Sequence, residues 1–268
     1  MKILTALTKF LIKLFCFFIK KNKDSQKYLF SIALKDEVSD YVENGYYEGY
    51  LHIEKSIKIA KKYSFKEEEI IIADVGGSNG ITAEIYLKAF PNTNIYIFEP
   101  IKESFHHLQE RLRLKQNAFP INKALGNFVQ ETEINIAKRV SSSSLFNLNP
   151  DLSNLVFSKA LEFERTERIQ ISTLDNEIPK NKIVLILKID VQGYELEVLK
   201  GGTETLKKTY LITLEMNNHE GYKDSPKYFE IDDYLRNVGF CFYDILPSTR
   251  SNGPLVEWDC IYINQNFR

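Results

Sequence analysis

The sequence predicts an α/β fold, a mainly parallel β-sheet with helices on both faces, preceded by a helical N-terminal extension. Three observations predict it. From residue 70 onward, short apolar runs alternate with helix-like stretches. The most apolar run, Ile183–Ile189, lacks the polar alternation of a half-exposed strand and suits one buried on both faces. The first run, Ile70–Val75, closes on a glycine-bearing turn that leads straight into a helical pattern.

The elements follow in order. Residues 24–50 are polar and tyrosine-rich, with turn signals at Asn44–Gly45 and Gly49, and read as short helices. Ile53, Ile57, Ala60 and Tyr63 mark a helix over 51–63. Ile70–Val75 is the first strand, and Asn79–Phe90 a helix stopped by Pro91. Ile95–Phe98 is a strand, Lys102–Leu114 a helix and Phe119–Ala124 a third strand. Phe128–Ile136 alternates loosely and predicts an added strand; Ser141–Ser144 reads as a polar loop and Arg168–Leu174 as another strand. Ile183–Ile189 is the central strand. Tyr194–Lys207 is a helix interrupted at Gly201–Gly202, Tyr210–Met216 a strand, and Lys227–Asn237 a helix ended by Gly239. Phe240–Ile245 and Asp259–Ile263 are the last two strands. This divides the chain into a leader (1–23), a helical extension (24–65) and a main domain (66–268).

Composition narrows the classes. With 268 residues, 44% hydrophobic and 26% charged, the chain is neither disordered nor fibrous. Its net charge of −1 argues against broad nucleic-acid binding, yet that figure averages two unlike parts. Residues 1–23 carry six lysines and no acid, while the remainder carries 29 basic and 36 acidic side chains. At 100° per residue, Lys2, Lys9, Lys13 and Lys20 fall on one stripe opposite Leu4, Leu7, Leu11, Leu14, Phe15, Phe18 and Ile19. Two lysines within the apolar segment disfavour a membrane span, and the longest uninterrupted apolar run is too short for a secretion signal. The pattern fits an amphipathic helix lying at a membrane surface; a helix docked on its own domain or on an oligomer partner is the rival reading. The expected location is cytoplasmic, peripheral on the inner face of the cell membrane. Cys16, Cys241 and Cys260 are widely spaced without a CxxC, which disfavours a disulfide framework or a zinc site.

The chemistry is concentrated in the first turn, Asp74-Val75-Gly76-Gly77-Ser78-Asn79-Gly80. Glycines there let backbone amides approach a ligand at a helix start. No register satisfies the dinucleotide pattern GxGxxG; the turn reads D-x-G-x-x-x-G. Glu99 follows at the end of the second strand, before Pro100, where a carboxylate can accept both hydroxyls of a ribose.

Together these stretches resemble the class I, Rossmann-like methyltransferases and, more narrowly, the FkbM-type family. The resemblance runs over residues 70–216: the turn at Asp74–Gly80, Phe98-Glu99-Pro100, Ala124-Leu125-Gly126, the serine run before Leu145, Thr173-Leu174-Asp175, and the most diagnostic stretch, Lys188 to Gly201, followed by Glu215. Gly77 stands where the family usually has alanine, and Gln192 where it often has glutamate. The resemblance implies a seven-stranded sheet and S-adenosyl-L-methionine (SAM) as cofactor. It also implies O-methylation of a hydroxyl on a sugar, glycan or related metabolite, which the leader would place on a lipid-linked acceptor.

On that reading Asp74, Gly76, Gly77, Ser78, Asn79 and Gly80 surround the amino-acid end of SAM. Glu99 and Pro100 hold the ribose, and Ala124 and Leu125 flank the adenine. Ser78 and Asn79 serve equally well as helix caps, and Ala124 and Leu125 as core. Asp190 and Lys188 share a strand face at the edge where such sheets bind ligands. Asp190 and His219 are the candidates for removing the acceptor's proton, and Lys188 is a third catalytic candidate. A metal-dependent variant would use Asp190, Glu215 and Asn217, but no metal is expected. His106 and His107 are expected to face solvent. The competing functions are a non-catalytic SAM-binding scaffold and a nicotinamide oxidoreductase, the latter disfavoured by the turn.

Overall fold

Seven strands form one sheet, in the order Ala118–Ile121 (β3), Asn94–Phe98 (β2), Ile70–Val75 (β1), Ile183–Ile189 (β7), Thr209–Asn217 (β8), Leu255–Asn264 (β10) and Phe240–Arg250 (β9), so the chain starts at the middle, runs to one edge and then returns to the other. This computed structural model describes residues 47–63, 65–148, 162–217, 222–250 and 255–267. The leader and most of the extension lie outside the described residues. The described part of the extension begins as helix α1, Tyr47–Ala60, close to the predicted span.

The parallel strands are β1 (Ile70–Val75), β2 (Asn94–Phe98), β3 (Ala118–Ile121), β7 (Ile183–Ile189) and β8 (Thr209–Asn217). β10 (Leu255–Asn264) is antiparallel to β8 and pairs with β9 (Phe240–Arg250). The connecting helices are α2 (Ile81–Ala89), α3 (Lys102–Leu112), α4 (Leu174–Glu177), α5 (Glu195–Lys200), α6 (Thr203–Lys207) and α7 (Tyr228–Asn237). Each face of the sheet has its own apolar cluster. One joins Ile53 of α1 and Tyr86 of α2 to Ile72, Ile186 and Leu211; the other joins Leu187, Ile212 and Trp258 to Val198 and Leu235. Burial on both faces explains why Ile70–Val75 and Ile183–Ile189 read as unbroken apolar runs. At the expected interruption, Gly201 separates α5 from α6; a Cβ there would lie 1.9 Å from the Gly126 carbonyl oxygen.

A second, three-stranded sheet corrects the sequence reading. It holds β4 (Ala124–Leu125), β5 (Gln130–Ala137) and β6 (Phe163–Ser172) in the order β4-β6-β5. The predicted strand Phe119–Ala124 is therefore two pieces: Pro120 sits on β3, an edge strand that tolerates the missing donor, while Ala124 crosses to the small sheet. The added strand pairs in the small sheet with β6, which starts at Phe163 and stops at Ser172. Leu174 is helical, capped by the Thr173 side chain, which accepts from the Asn176 N–H. The serine run is not an exposed loop: Val140–Ser142 forms a 3-10 turn, and Ser142, Ser143 and Ser144 are buried.

Candidate active site

The strand order reverses between β2 and β7, both neighbours of β1, and the carboxyl ends of these strands frame the crevice where such sheets bind ligands. At the end of β1 the chain turns sharply. Gly76 has φ +79°, and a Cβ there would lie 1.9 Å from the Asp190 carbonyl oxygen. The N–H groups of Gly76 and Gly77 both donate to the Phe98 carbonyl (3.0 Å each), tying the turn to the end of β2. Gly77 is needed for packing, since Ile97 Cγ2 fills the place of its Cβ at 2.2 Å. Gly80, at φ +81°, starts α2 without a side-chain cap. Asn79 partly substitutes, accepting from the Ile81 N–H at 3.3 Å.

Glu99 is buried, with both carboxylate oxygens engaged: Ser78 N–H donates to Oε2 (2.8 Å) and Ile101 N–H to Oε1 (2.9 Å). Burial pushes its carboxyl up to about 7, against the pull of those two amides. Each oxygen keeps a lone pair for a further donor. Asn122 fixes the backbone behind it, donating to the carbonyls of Glu99 (2.8 Å) and Pro100 (2.9 Å).

Lys188 is buried beneath the turn. Its Nζ donates to the Gly76 carbonyl (2.9 Å) and lies 3.3 Å from Asp74 Oδ1 and 3.5 Å from Asp190 Oδ2. Burial works against the ammonium, but the two carboxylates outweigh it and hold the lysine charged, above its ordinary value. Lys188 thus steadies the turn and Asp190 from below rather than lining the crevice. Asp74 is fully buried, and burial raises its pKa despite the nearby lysine. Asp190 is different: its side chain is 40% exposed, and Lys188 and Gln192 more than offset desolvation to hold it below its ordinary value.

Gln192 ties these strands together. Its Nε2 donates to Asp190 Oδ1 and Glu215 Oε2 (3.0 Å each), its Oε1 accepts from Tyr222 OH (2.5 Å), and its carbonyl accepts from Ser144 Oγ (2.7 Å). Its φ of +56° is held by this set of bonds. Glu195 accepts from the N–H groups of Val191 and Gly193 (3.1 Å each), and burial pushes it up to about 7. Glu215 lies well above the carboxylate range, through burial first and then the negative charge of Glu257, Asp190, Asp259 and Glu195.

The crevice is lined by Gly76, Ser78, Glu99, Pro100, Ala124, Leu125 and Asp190 from the predicted set, together with Ile134, Val140, Ser143 and Leu145, of which Ile134, Val140 and Leu145 pack with Ala124. Those apolar side chains fit an adenine ring and the Glu99 carboxylate fits a ribose; the lining suits a nucleoside. Asp74, Gly77, Asn79, Gly80 and Lys188 support the turn instead of lining the crevice. His219 lies outside the described residues. His106 and His107 are exposed. No cluster of metal-ligating side chains occurs among the described residues. Sequence reasoning missed His52 on α1, whose Nδ1 lies 3.1 Å from Asp259 Oδ2, and it missed Tyr222, Glu257 and Asp259. No local motif marks these four; strand register and helix docking bring Asp259 opposite Glu215, Glu257 opposite Asn217, His52 to Asp259 and Tyr222 to Gln192, beside the crevice residue Asp190.

Comparison with known proteins shows the family. Residues 74–242 match the family model of the Methyltransferase FkbM domain. The chain is 30% identical over 171 residues to the hexuronic acid methyltransferase AglP of Haloferax volcanii, covering 60% of this chain and 62% of that protein. It is 27% identical over 162 residues to the 2-O-methyltransferase NoeI of Sinorhizobium fredii, covering 57% and 65%. The matched region thus spans less than two thirds of either relative. Among solved structures, the methyltransferase FkbM from Methylobacillus flagellatus aligns with a TM-score of 0.48 at 15% identity, over 75% of this chain and 44% of that one.

Proposed function

The chain belongs to the FkbM methyltransferase family, and from that premise we propose that it transfers a methyl group from SAM to a hydroxyl of a sugar or glycan. The observation that carries this reading is the crevice at the β1 switch point, which brings the Glu99 and Asp190 carboxylates together with the apolar Ala124, Leu125, Ile134 and Leu145. SAM supplies an electrophilic methyl group on a sulfonium. The rest is done by the chain. Gly76 keeps the turn open to a ligand because any side chain there would strike Asp190. Glu99 accepts ribose hydroxyls with its remaining lone pairs. Asp190, half exposed and held by Lys188 and Gln192, faces the acceptor side and takes up the proton of the attacking hydroxyl. A carboxylate is a weak base for an alcohol, so most of the rate comes from alignment, with proton removal contributing roughly 10²–10⁴.

The test is calorimetry of the full chain with SAM, alongside Glu99→Ala and Asp190→Asn. Glu99→Ala is expected to weaken SAM binding by about tenfold or more, and Asp190→Asn to retain binding while methyl transfer falls. Unchanged SAM affinity in Glu99→Ala removes the ribose assignment.

The membrane part of the reading rests on the lysine stripe in residues 1–23. It puts the enzyme at the inner face of the cell membrane, acting on a lipid-linked acceptor. No helix among the described residues is long and apolar enough to cross a membrane. Cosedimentation with anionic vesicles at low salt, with and without residues 1–23, tests it; equal recovery of both forms rejects it.

A further inference from the structure

The turn after β7 is held in a costly shape by two residues outside the crevice lining. Gln192 has φ +56° and Gly193 φ +99°. A left-handed residue with a long side chain persists only where its surroundings over-determine it. Ser144 Oγ donates to the Gln192 carbonyl (2.7 Å) and accepts from the Phe146 N–H (3.1 Å). Glu195 accepts from the N–H groups of Val191 and Gly193, which flank Gln192. The Tyr222 ring packs on the turn, where a Cβ on Gly193 would lie 3.2 Å from Tyr222 Cδ2.

The Gln192 amide is as constrained as its backbone. Both Nε2 hydrogens are used, one on Asp190 Oδ1 and one on Glu215 Oε2 (3.0 Å each). Tyr222 OH lies 2.5 Å from Gln192 Oε1 and 3.2 Å from the Ser142 carbonyl oxygen. Carbonyl oxygens only accept, so the phenol donates, chiefly to the nearer Gln192. Burial, and then the carboxylates around it, keep that phenol protonated, well above its ordinary value. An amide turned over would set its oxygen against Asp190, whose negative charge Lys188 favours. Residues 140–145 serve both sides of this arrangement. Val140, Ser141, Ser143 and Leu145 line the crevice, while the Ser142 carbonyl and the Ser144 hydroxyl meet Tyr222 and Gln192.

We propose that Tyr222 and Ser144 are positioning residues for methyl transfer, acting on Asp190 through Gln192: Tyr222 fixes the direction of the Gln192 amide, and Ser144 fixes the Gln192 backbone. The proposal rests on the methyltransferase reading above, with Asp190 taking up the proton. Asp190 then has Gln192 Nε2 on Oδ1 and Lys188 beside Oδ2, with lone pairs left for the incoming hydroxyl. The other titratable groups around Asp190 are Asp74 on β1, Glu195 on α5, Glu215 on β8 and His52 on α1. Tyr222→Phe alters none of these and keeps the ring on Gly193, so a change at Asp190 reports the amide.

The test uses the full chain with SAM bound and aspartate labelled with carbon-13, the Asp190 carboxyl resonance being assigned by its loss in Asp190→Asn. Tyr222→Phe is expected to hold SAM affinity within about twofold by calorimetry and to raise the Asp190 titration midpoint by about one pH unit, because the carboxylate loses its fixed donor. Gln192→Leu is expected to raise it at least as far, and the double variant to match Gln192→Leu alone, as residues acting in series do. Ser144→Ala is expected to give a shift in the same direction of about half that size, and it decides the matter where Tyr222→Phe does not fold. Transfer of labelled methyl from SAM to glycans extracted from cells lacking the gene is expected to fall about tenfold in Tyr222→Phe, with the acid limb of its pH profile moved up alongside the resonance. An unmoved Asp190 midpoint overturns the proposal. So do additive effects in the double variant, which a merely structural Tyr222 would give. A parent chain that binds SAM but labels no glycan fails the methyltransferase reading instead, and the resonance alone then decides the positioning.

Discussion

The carboxyl ends of the strands differ in how their polar groups are held. At β1 and β2 the backbone does it: the Gly76 and Gly77 amides donate to Phe98, both Glu99 oxygens accept from backbone amides, and Asn122 donates to two carbonyls. At β7 and β8 side chains do it: Lys188 lies between Asp74 and Asp190, and Gln192 joins Asp190 to Glu215, which stands opposite Asp259 of β10. On the proposed methyltransferase reading the contrast makes sense, because fixed backbone geometry serves a ligand that never changes and side chains serve one that does.

The contrast breaks most severely at Gly76. Gly76→Ala combines a 1.9 Å contact to a backbone oxygen with a φ of +79°. The expected cost is roughly 3–4 kcal/mol, from overpacking and the left-handed conformation together, with loss of SAM binding. Gly77→Ala meets the Cγ2 methyl of buried Ile97 rather than backbone, and at a φ that needs no glycine, so it costs less, about 1–3 kcal/mol. Thermal melts of both variants check the order; equal losses reject the distinction.

The next effect is on pH. Glu99 at the end of β2 and Glu195 just after β7 are both pushed up to about 7 by burial. A carboxyl whose folded value is raised favours folding most when protonated. Its contribution is full below the ordinary value near 4.5 and is lost as pH rises toward 7. The free protein is therefore expected to lose stability between pH 5 and pH 8, by up to about 3 kcal/mol per group. Glu195→Gln and Glu99→Gln each flatten part of that slope. Asp190, held low, acts only in acid. A melting temperature independent of pH over this range rejects the assignment.

The ribose contact gives a smaller and more specific effect. If Glu99 accepts hydroxyls as a carboxylate, SAM affinity rises with pH up to about 7 and then levels. Glu99→Gln weakens binding about tenfold, roughly 1.4 kcal/mol, and removes the pH dependence. Calorimetry at pH 5.5, 7 and 8.5 separates this from a general effect of pH on the fold.

These strand ends also differ in how far they could be read from sequence. The crevice around Gly76, Glu99 and Asp190 was legible because it is local. Asp74, the glycines, Glu99 and Asp190 sit at strand ends that hydrophobic runs mark clearly, and β1 and β7 lie where the pattern places them. The ends of β8 and β10 depend on register. Asp259 stands opposite Glu215 only because β10 runs antiparallel to β8, and His52 reaches Asp259 only because α1 docks on that face. Neither relation leaves a trace in local spacing. The small sheet was misread for a related reason: at Ala124 the chain leaves one sheet for another within a few residues, and an apolar run does not say which sheet it joins.

The smallest expected effect is the sharpest test of the ends of β8 and β10. Glu215 is held well above the carboxylate range by burial and by Glu257, Asp190, Asp259 and Glu195, so raising pH forces a charge into an already negative row. Glu215→Gln keeps an oxygen to accept from Gln192 Nε2 and removes that ionisation. The variant is therefore expected to be more stable than the parent by about 0.5–1 kcal/mol at alkaline pH, the scale of relieving a cross-strand like-charge pair. The gain should shrink as pH falls and Glu215 protonates in the parent. Denaturant titrations at pH 6 and pH 9 measure both ends. A gain that grows with pH shows that the ionised Glu215 costs stability in this acidic row, whereas a loss at both pH values makes Glu215 an ordinary structural partner of Gln192.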